Sequence, residues 1–329
     1  MTLDNRKRLG IVEVGSYAVR RMVATFEPNG KFRIDGSESD EYIHGVDADN
    51  LDNHSVDCLW QAVHGFYKYL LDSGLRPENV WVYGTELCRR LSIMQHRIPT
   101  YVIVLNADQE AVTAWATGFL KIQDKVDGWS YTIFDQGGGS SELVSGVWDD
   151  RRNRIENLKY GTFDFGHRKL AKLYSPSSPS AYVEKLRNLL GQHTEQIALH
   201  EAKKHMSTFI LLGGPATKLA FNIRHKRDED HDYDGRAVDV TTISLKEMQT
   251  YYNKVANIYK GDPDRARREV DRRTIRSDEY ERVMSSAILL MLISARLGYQ
   301  TLTVTASSTR YGFGFLAARG IIQNRSSSS

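Results

Sequence analysis

A stretch near the middle of the chain, Asp135-Gln136-Gly137-Gly138-Gly139-Ser140-Ser141-Glu142-Leu143, holds the residue types that phosphate chemistry needs. Gly137, Gly138 and Gly139 follow an apolar run and let the backbone approach a phosphate closely, with its N–H groups turned inward. Asp135 at the end of that run is placed to hold a magnesium ion or its water shell. Ser140 and Ser141 are hydroxyl donors for phosphate oxygens. A glycine-rich hairpin is the plainer alternative, although a hairpin rarely needs three glycines between an aspartate and a glutamate. The opening of the chain repeats the arrangement in Glu13-Val14-Gly15-Ser16, where Gly15 and Ser16 would grip a second phosphate by the same physics.

The elements around these turns alternate. Leu9–Val14 and Val19–Phe26 read as strands flanking the first turn, and Tyr131–Phe134 and Glu142–Trp148 as strands flanking the second. Each copy runs strand, acid, glycine turn, strand, with Glu13 and Asp135 at matching places, so two similar α/β halves facing each other across a cleft are expected. Leu59–Ser73 has helical spacing and stops near Gly74; Val80–Tyr83 and Tyr101–Leu105 are β-branched and aromatic strands; Asp108–Leu120 is a helix with an acidic first turn. Further on, helices are expected over Ser180–Lys204, after Gly213-Gly214, over Thr241–Tyr259 entered after Ser244, over Tyr280–Leu297 and from Phe313 to Ala318. Strands are expected at Phe209–Leu212 and Leu302–Thr305, and a mobile charged loop at Arg224–Asp239. Strand alternating with helix argues for an α/β architecture.

Composition narrows the class. The 329 residues suffice for two domains, and 41% hydrophobic with 26% charged residues is ordinary for a globular enzyme. A net charge of +3 does not suggest a nucleic-acid binder. Cys58 and Cys88 form no CxxC or Cys/His spacing, which argues against a disulfide framework or zinc site and for a reducing compartment. The longest greasy run, Ala287–Ala295, is too short for a membrane span, and Met1–Gly10 lacks a signal-peptide core, so a cytoplasmic location is expected. The basic stretches Arg224–Arg227 and Arg265–Arg276 would steer a polyanion or form a salt-bridged solvated face, and the histidines show no metal-ligand spacing.

Several segments resemble the exopolyphosphatase/guanosine pentaphosphate phosphohydrolase (Ppx/GppA) family of the actin-like ATPase superfamily. "DQGGGSSELV" is similar to its DIGGGSTEL motif, "VEVGSYAVRRMV" to its IDIGSNSVRLxV turn and "YGTELCRRL" to its TSAxR segment. "VLNADQEAVTAWATG" resembles ISGEEEARLxxxG, "LLGGPATKLA" resembles GGxxxxLA, and "VTASSTRYGF" more loosely S-x-x-LReG. The matches keep family order from Ile11 to about Gly314. The chain departs from the pattern at Glu13 (family Asp), Tyr17 (family Asn) and Asn106-Ala107 (family SG). Glutamate moves the carboxylate about one methylene outward, and Tyr17 sets a bulky ring beside a phosphate turn.

The resemblance implies two actin-like, ribonuclease H-like domains, one from residues 1–122 plus about 313–325 and one from residues 123–312, with 326–329 a disordered tail. It implies hydrolysis of a phosphoanhydride with Mg2+ or another divalent cation. Glu110 would be the base or water-positioner, Glu142 a second catalytic carboxylate, Asp135 and Glu13 metal ligands, and Arg89 a phosphate-binding residue beside Gly15, Ser16 and Gly137–Ser141. Without the resemblance, Glu110 reads as an ordinary first-turn helix carboxylate and Arg89 as a surface arginine. The implied partner is polyphosphate or a phosphorylated guanosine nucleotide; neither membrane nor specific nucleic acid is expected, and a homodimer is left open. Four readings follow: exopolyphosphatase, guanosine pentaphosphate phosphohydrolase, a sugar kinase or ATPase on the same fold, and a non-catalytic phosphate or nucleotide sensor favoured by Glu13, Tyr17 and Ala107.

Overall fold

The run Leu9–Val14 is buried along its whole length, as a strand must be when it lies mid-sheet under cover on both faces. It ends β1 (Lys7–Val14) of a computed structural model that describes residues 6–16, 18–27, 31–35, 40–43, 52–122, 130–149, 151–152, 154–200, 208–224, 240–270, 278–306 and 308–322. Tyr17, most of the charged segment after Arg224, and the tail 326–329 lie outside the described residues. The chain falls into two units, Met1–Leu120 with Thr309–Ser329 and Lys121–Ser308.

In the first unit β1 pairs antiparallel with β2 (Ala18–Phe26), which also pairs β3 (Phe32–Ile34) and β4 (Asp40–Ile43). On its other side β1 runs parallel to β5 (Val80–Gly84), and β5 to β6 (Val102–Val104), giving the order β3-β2-β1-β5-β6. Helix α1 (Asn53–Asp72) starts where Asp52 accepts the Ser55 N–H at 2.8 Å, and it buries Val56, Leu59, Val63 and Leu70. Helix α2 (Glu86–Ile93) follows β5, and α3 (Ala107–Ile122) follows β6. Asn106 and Gln109 exchange side-chain-to-backbone bonds of 2.8 and 3.0 Å at the start of α3, so the departure at Asn106 builds a reciprocal helix cap.

The second unit repeats the pattern. Strands β7 (Ser130–Gln136), β8 (Ser141–Asp149) and β9 (Arg154–Phe163) form an antiparallel meander, followed by α4 (His167–Leu173), α5 (Pro179–Gln192) and α6 (Thr194–Ala198). Then come β10 (Thr208–Leu212), α7 (Gly214–Arg224), β11 (Thr241–Ser244), α8 (Leu245–Gly261), α9 (Pro263–Val270), α10 (Glu279–Leu297) and β12 (Thr301–Val304). The sheet order is β11-β12-β10-β7-β8-β9, with β10 parallel to β7 and β12. Apart from the extra edge strands β4 and β11, the two sheets share one design: an antiparallel three-strand meander whose first strand is extended by two parallel strands. Helix α10 buries one side chain after another from Tyr280 to Leu297 against this sheet's core.

Finally α11 (Thr309–Ala318) returns the chain to the first unit and packs on β1 and β2. It does so at close range: a Cβ at Gly312 would collide with the Thr113 carbonyl and the Thr117 amide of α3. The unit boundary falls at Ser308/Thr309 rather than near residue 313, because the return begins at the first residue of α11.

Several elements differ from expectation. The helix expected over Ser180–Lys204 breaks at His193, whose ring sits edge-on to Phe163 at 5.0 Å. Residues 241–244 pair with β12 instead of opening α8, which Ser244 and Glu247 start with a capping box. Strands β3, β4 and β9 and helices α2, α4 and α9 are additional.

Candidate active site

In each unit the candidate residues gather at the carboxyl ends of the parallel strands, where open α/β sheets bind ligands. In the first unit, backbone bonds from Thr85 to Val14 (3.4 Å) and from Leu105 to Gly84 (2.9 Å) draw the ends of β1, β5 and β6 together. Arg89 on α2 then reaches across to α3, its Nη1 donating to Glu110 Oε2 at 2.5 Å and to the Leu105 carbonyl at 2.9 Å. Nε and Nη2 of the same guanidinium have no partner among the described residues. Glu110 is 8% exposed. Burial raises its pKa above the usual 4.5, Arg89 draws it back, and the carboxylates of Glu86 and Glu13 raise it again; the net direction is up.

Glu13, at the end of β1, accepts from Thr309 Oγ1 at 2.7 Å through Oε1 and lies 3.6 Å from Arg310 Nε through Oε2. Arg310 is 4% exposed and is itself fixed by a 2.7 Å bond to the Arg21 carbonyl. Sequence reasoning missed Glu86, a third buried carboxylate of this unit, which accepts from Ser16 Oγ at 3.0 Å and pairs with Arg90. Glu13, Glu86 and Glu110 thus lie against Arg310, Arg90 and Arg89 respectively. The Gly15 N–H donates to the Ala18 carbonyl at 3.1 Å. Cys88 offers no alternative nucleophile, since burial pushes its thiol up to about 12.

The second unit presents a different turn. Asp135 and the buried Glu142 are direct cross-strand neighbours on β7 and β8, so their carboxylates share one face of the sheet. Between the two strands, the N–H groups of Gly138, Gly139 and Ser140 meet no protein acceptor among the described residues. Ser141 Oγ donates to the Phe165 carbonyl at 2.7 Å, so the hydroxyl expected on a phosphate is bound to the protein, whereas that of Ser140 has no protein partner among the described residues. Gln136 is another residue the sequence did not flag: it is 1% exposed, and neither polar atom of its side-chain amide has a hydrogen-bond partner among the described residues.

Among the described residues no group of three or more His, Cys, Asp or Glu side chains is spaced to hold a metal ion. Asp135 and Glu142 nevertheless fit magnesium, which takes one or two carboxylates and leaves its other positions to water and phosphate. Glu13 fits less well, because both its oxygens already face Thr309 and Arg310. No described helix is long and apolar enough to cross a membrane.

No protein-family model matches the chain, and no curated protein matches its sequence. Its fold does match solved structures. The Aquifex aeolicus PPX-GPPA enzyme superposes with a TM-score of 0.71 at 18% identity, over 94% of this chain and 99% of that one. An exopolyphosphatase from Cytophaga hutchinsonii gives a TM-score of 0.69 at 16% identity, over 95% and 98%. An exopolyphosphatase-like protein gives 0.69 at 14% identity, over 96% and 99%. The chain therefore has the two-domain α/β fold of Ppx/GppA structures along nearly its whole length.

Proposed function

We propose that this chain is a phosphoanhydride hydrolase that releases terminal phosphate from inorganic polyphosphate with the help of a divalent cation. The observation that carries the reading is the Arg89–Glu110 pair: a buried carboxylate with raised proton affinity, tied to a guanidinium that keeps two nitrogens for a ligand. A carboxylate of this kind suits proton abstraction near neutral pH better than an ordinary surface glutamate. Water attacks the terminal phosphorus in line with the leaving oxygen, Glu110 takes its proton, and the P–O bond to the rest of the chain breaks. Arg89, through Nε and Nη2, is suited to a planar, two-oxygen grip on the transferred phosphoryl. The open N–H groups of Gly138, Gly139 and Ser140 and the Ser140 hydroxyl hold phosphate oxygens. Asp135 and Glu142 would hold magnesium, which supplies positive charge to the phosphate oxygens.

One observation favours a second reading, a phosphate or nucleotide sensor. The first turn's donors, the Gly15 N–H and the Ser16 hydroxyl, are bonded to Ala18 and Glu86. The test is phosphate release from long-chain polyphosphate, guanosine pentaphosphate and ATP in parallel, with and without magnesium. Release from polyphosphate above the other two supports the proposal; release mainly from guanosine pentaphosphate or ATP reassigns the substrate. No release from any, with retained binding, gives the sensor.

A further inference from the structure

The open glycine turn of the second unit is held from behind by one short segment. The N–H of Gly166 donates to the Gly139 carbonyl at 2.8 Å, that of His167 to Gly137 at 3.0 Å and that of Arg168 to Gly138 at 3.2 Å. The Phe165 carbonyl accepts from Ser141 Oγ. In a trans peptide the C=O of one residue and the N–H of the next point in opposite directions. Fixing the carbonyls of residues 137, 138 and 139 toward the start of α4 therefore turns the N–H groups of 138, 139 and 140 to the other side, as a row of donors. The first N–H groups of a helix ordinarily lack partners and attract anions themselves. Here they grip carbonyls, and the anion-binding role passes to the turn.

The approach is close. A Cβ at Gly166 would run into the carbonyl of Gly138 and the amide of Gly139, so only glycine fits. His167 is fixed in turn by Arg282, whose Nε donates to its Nδ1 at 3.1 Å, and Arg282 is paired with Glu279 at 3.2 Å.

We infer that the segment Gly166–Arg168 positions the glycine turn as an inorganic-phosphate-type anion site, with the His167 backbone N–H one of its three anchors. The inference builds on the function proposed above and names the device that orients its phosphate turn. Residue 167 allows a clean test. It is the first residue of α4, where proline is well accepted, and Gly166 before it has extended backbone (φ −93°, ψ 173°), which a following proline also favours. His167→Pro removes the N–H that holds Gly137 along with the side chain, whereas His167→Ala removes the side chain and keeps the N–H.

The experiment titrates inorganic pyrophosphate into the full-length wild type and both variants, by calorimetry and by the amide NMR shifts of Gly138, Gly139 and Ser140. Circular dichroism melts check the fold, and polyphosphate hydrolysis is measured on the same samples. The expected result is pyrophosphate binding by the wild type with shifts at these three amides. His167→Pro should bind about tenfold or more weakly than His167→Ala, the loss of about one charge-assisted hydrogen bond. Equal binding by the two variants overturns the inference, as does a wild type that binds no pyrophosphate at millimolar concentration or binds it without moving these amides. If His167→Pro does not fold, Gly166→Ala replaces it, with Gly191→Ala on α5, where a Cβ meets nothing, as the control; unchanged binding by Gly166→Ala then overturns the inference. A wild type that binds pyrophosphate at the turn but hydrolyses nothing, with the expected difference between variants, supports the inference and contradicts the hydrolase reading.

Discussion

Glu110 stands between opposing influences, and its chemistry depends on their balance. Burial favours its protonated form, Arg89 favours the carboxylate, and Glu86 and Glu13 favour the proton again. Glu110→Gln keeps the shape but accepts no proton, so kcat should fall by about 10² or more, within the usual range for a lost general base, with KM little changed. Stability should stay within about 1 kcal/mol of wild type, the scale of a first-turn helix carboxylate. Because the folded pKa lies above 4.5, the rate should rise with pH through an apparent pKa higher than that. Glu86→Gln removes a like charge and should move this acid limb to lower pH; Arg89→Gln should move it to higher pH. Limbs that do not move, read from kcat against pH, would contradict the electrostatic account. The stability linkage has the opposite sense: with a raised folded pKa, Glu110 contributes most below 4.5, and that contribution is lost as pH rises through the folded value. Arg89 and Glu110 were legible in the sequence only through resemblance, since each alone is an unremarked surface residue type. Glu86 was not legible at all, because an acid in the first turn of a helix with an arginine four residues on looks like an ordinary dipole contact and i,i+4 pair; its bond to Ser16 becomes apparent only once the turn after β1 and α2 are brought together.

At the scale of elements, the return of α11 to the first unit is the step that puts Thr309 and Arg310 on Glu13. Gly312 permits it, because the helix crosses α3 with backbone against backbone and its N–H donates to Thr117 Oγ1 at 3.2 Å. Gly312→Ala should cost about 1–3 kcal/mol or more in urea unfolding, as overpacking does, while Gly191→Ala on the open surface of α5 should be neutral or mildly stabilising. Equal effects at the two sites would show that α11 does not pack as described. Strands buried on both faces, such as β1 and β10, were legible because they are continuous apolar runs. Strand β9 was hidden by Arg154, Glu156 and Lys159, charges that an edge strand tolerates on its open side. Helix α4 is a short segment, and no periodicity marks it; what the sequence does show there is Gly166, whose reason is the turn of a distant strand pair.

At the scale of the molecule, the repeat of acid and glycine turn read from the sequence corresponds to two sheets that share one strand order apart from the edge strands β4 and β11. What the repeat concealed is their inequality: the Gly15 N–H and the Ser16 hydroxyl of the first turn are bonded within the protein, whereas the N–H groups of Gly138, Gly139 and Ser140 in the second meet no protein acceptor among the described residues. Global stability should respond to His200, buried against Ser145 Oγ at 3.0 Å. Burial, with Lys159 adding to it, depresses its pKa from 6.5 to about 4. The unfolded chain therefore takes up a proton that the native state refuses, and the stability His200 contributes is complete above pH 6.5 and lost as pH falls toward 4. Urea midpoints at pH 7 and pH 5 should differ less in His200→Gln than in wild type. The metal belongs to this scale too: Asp135→Asn should raise the magnesium concentration needed for half-maximal activity without changing the melt. The most direct measurement is phosphate release by the wild type from long-chain polyphosphate, with magnesium and with chelator. Magnesium-dependent turnover on polyphosphate exceeding that on guanosine pentaphosphate and ATP, and lost in Glu110→Gln, is the result expected. Turnover that survives Glu110→Gln, or a wild type inert on all three substrates, would contradict it.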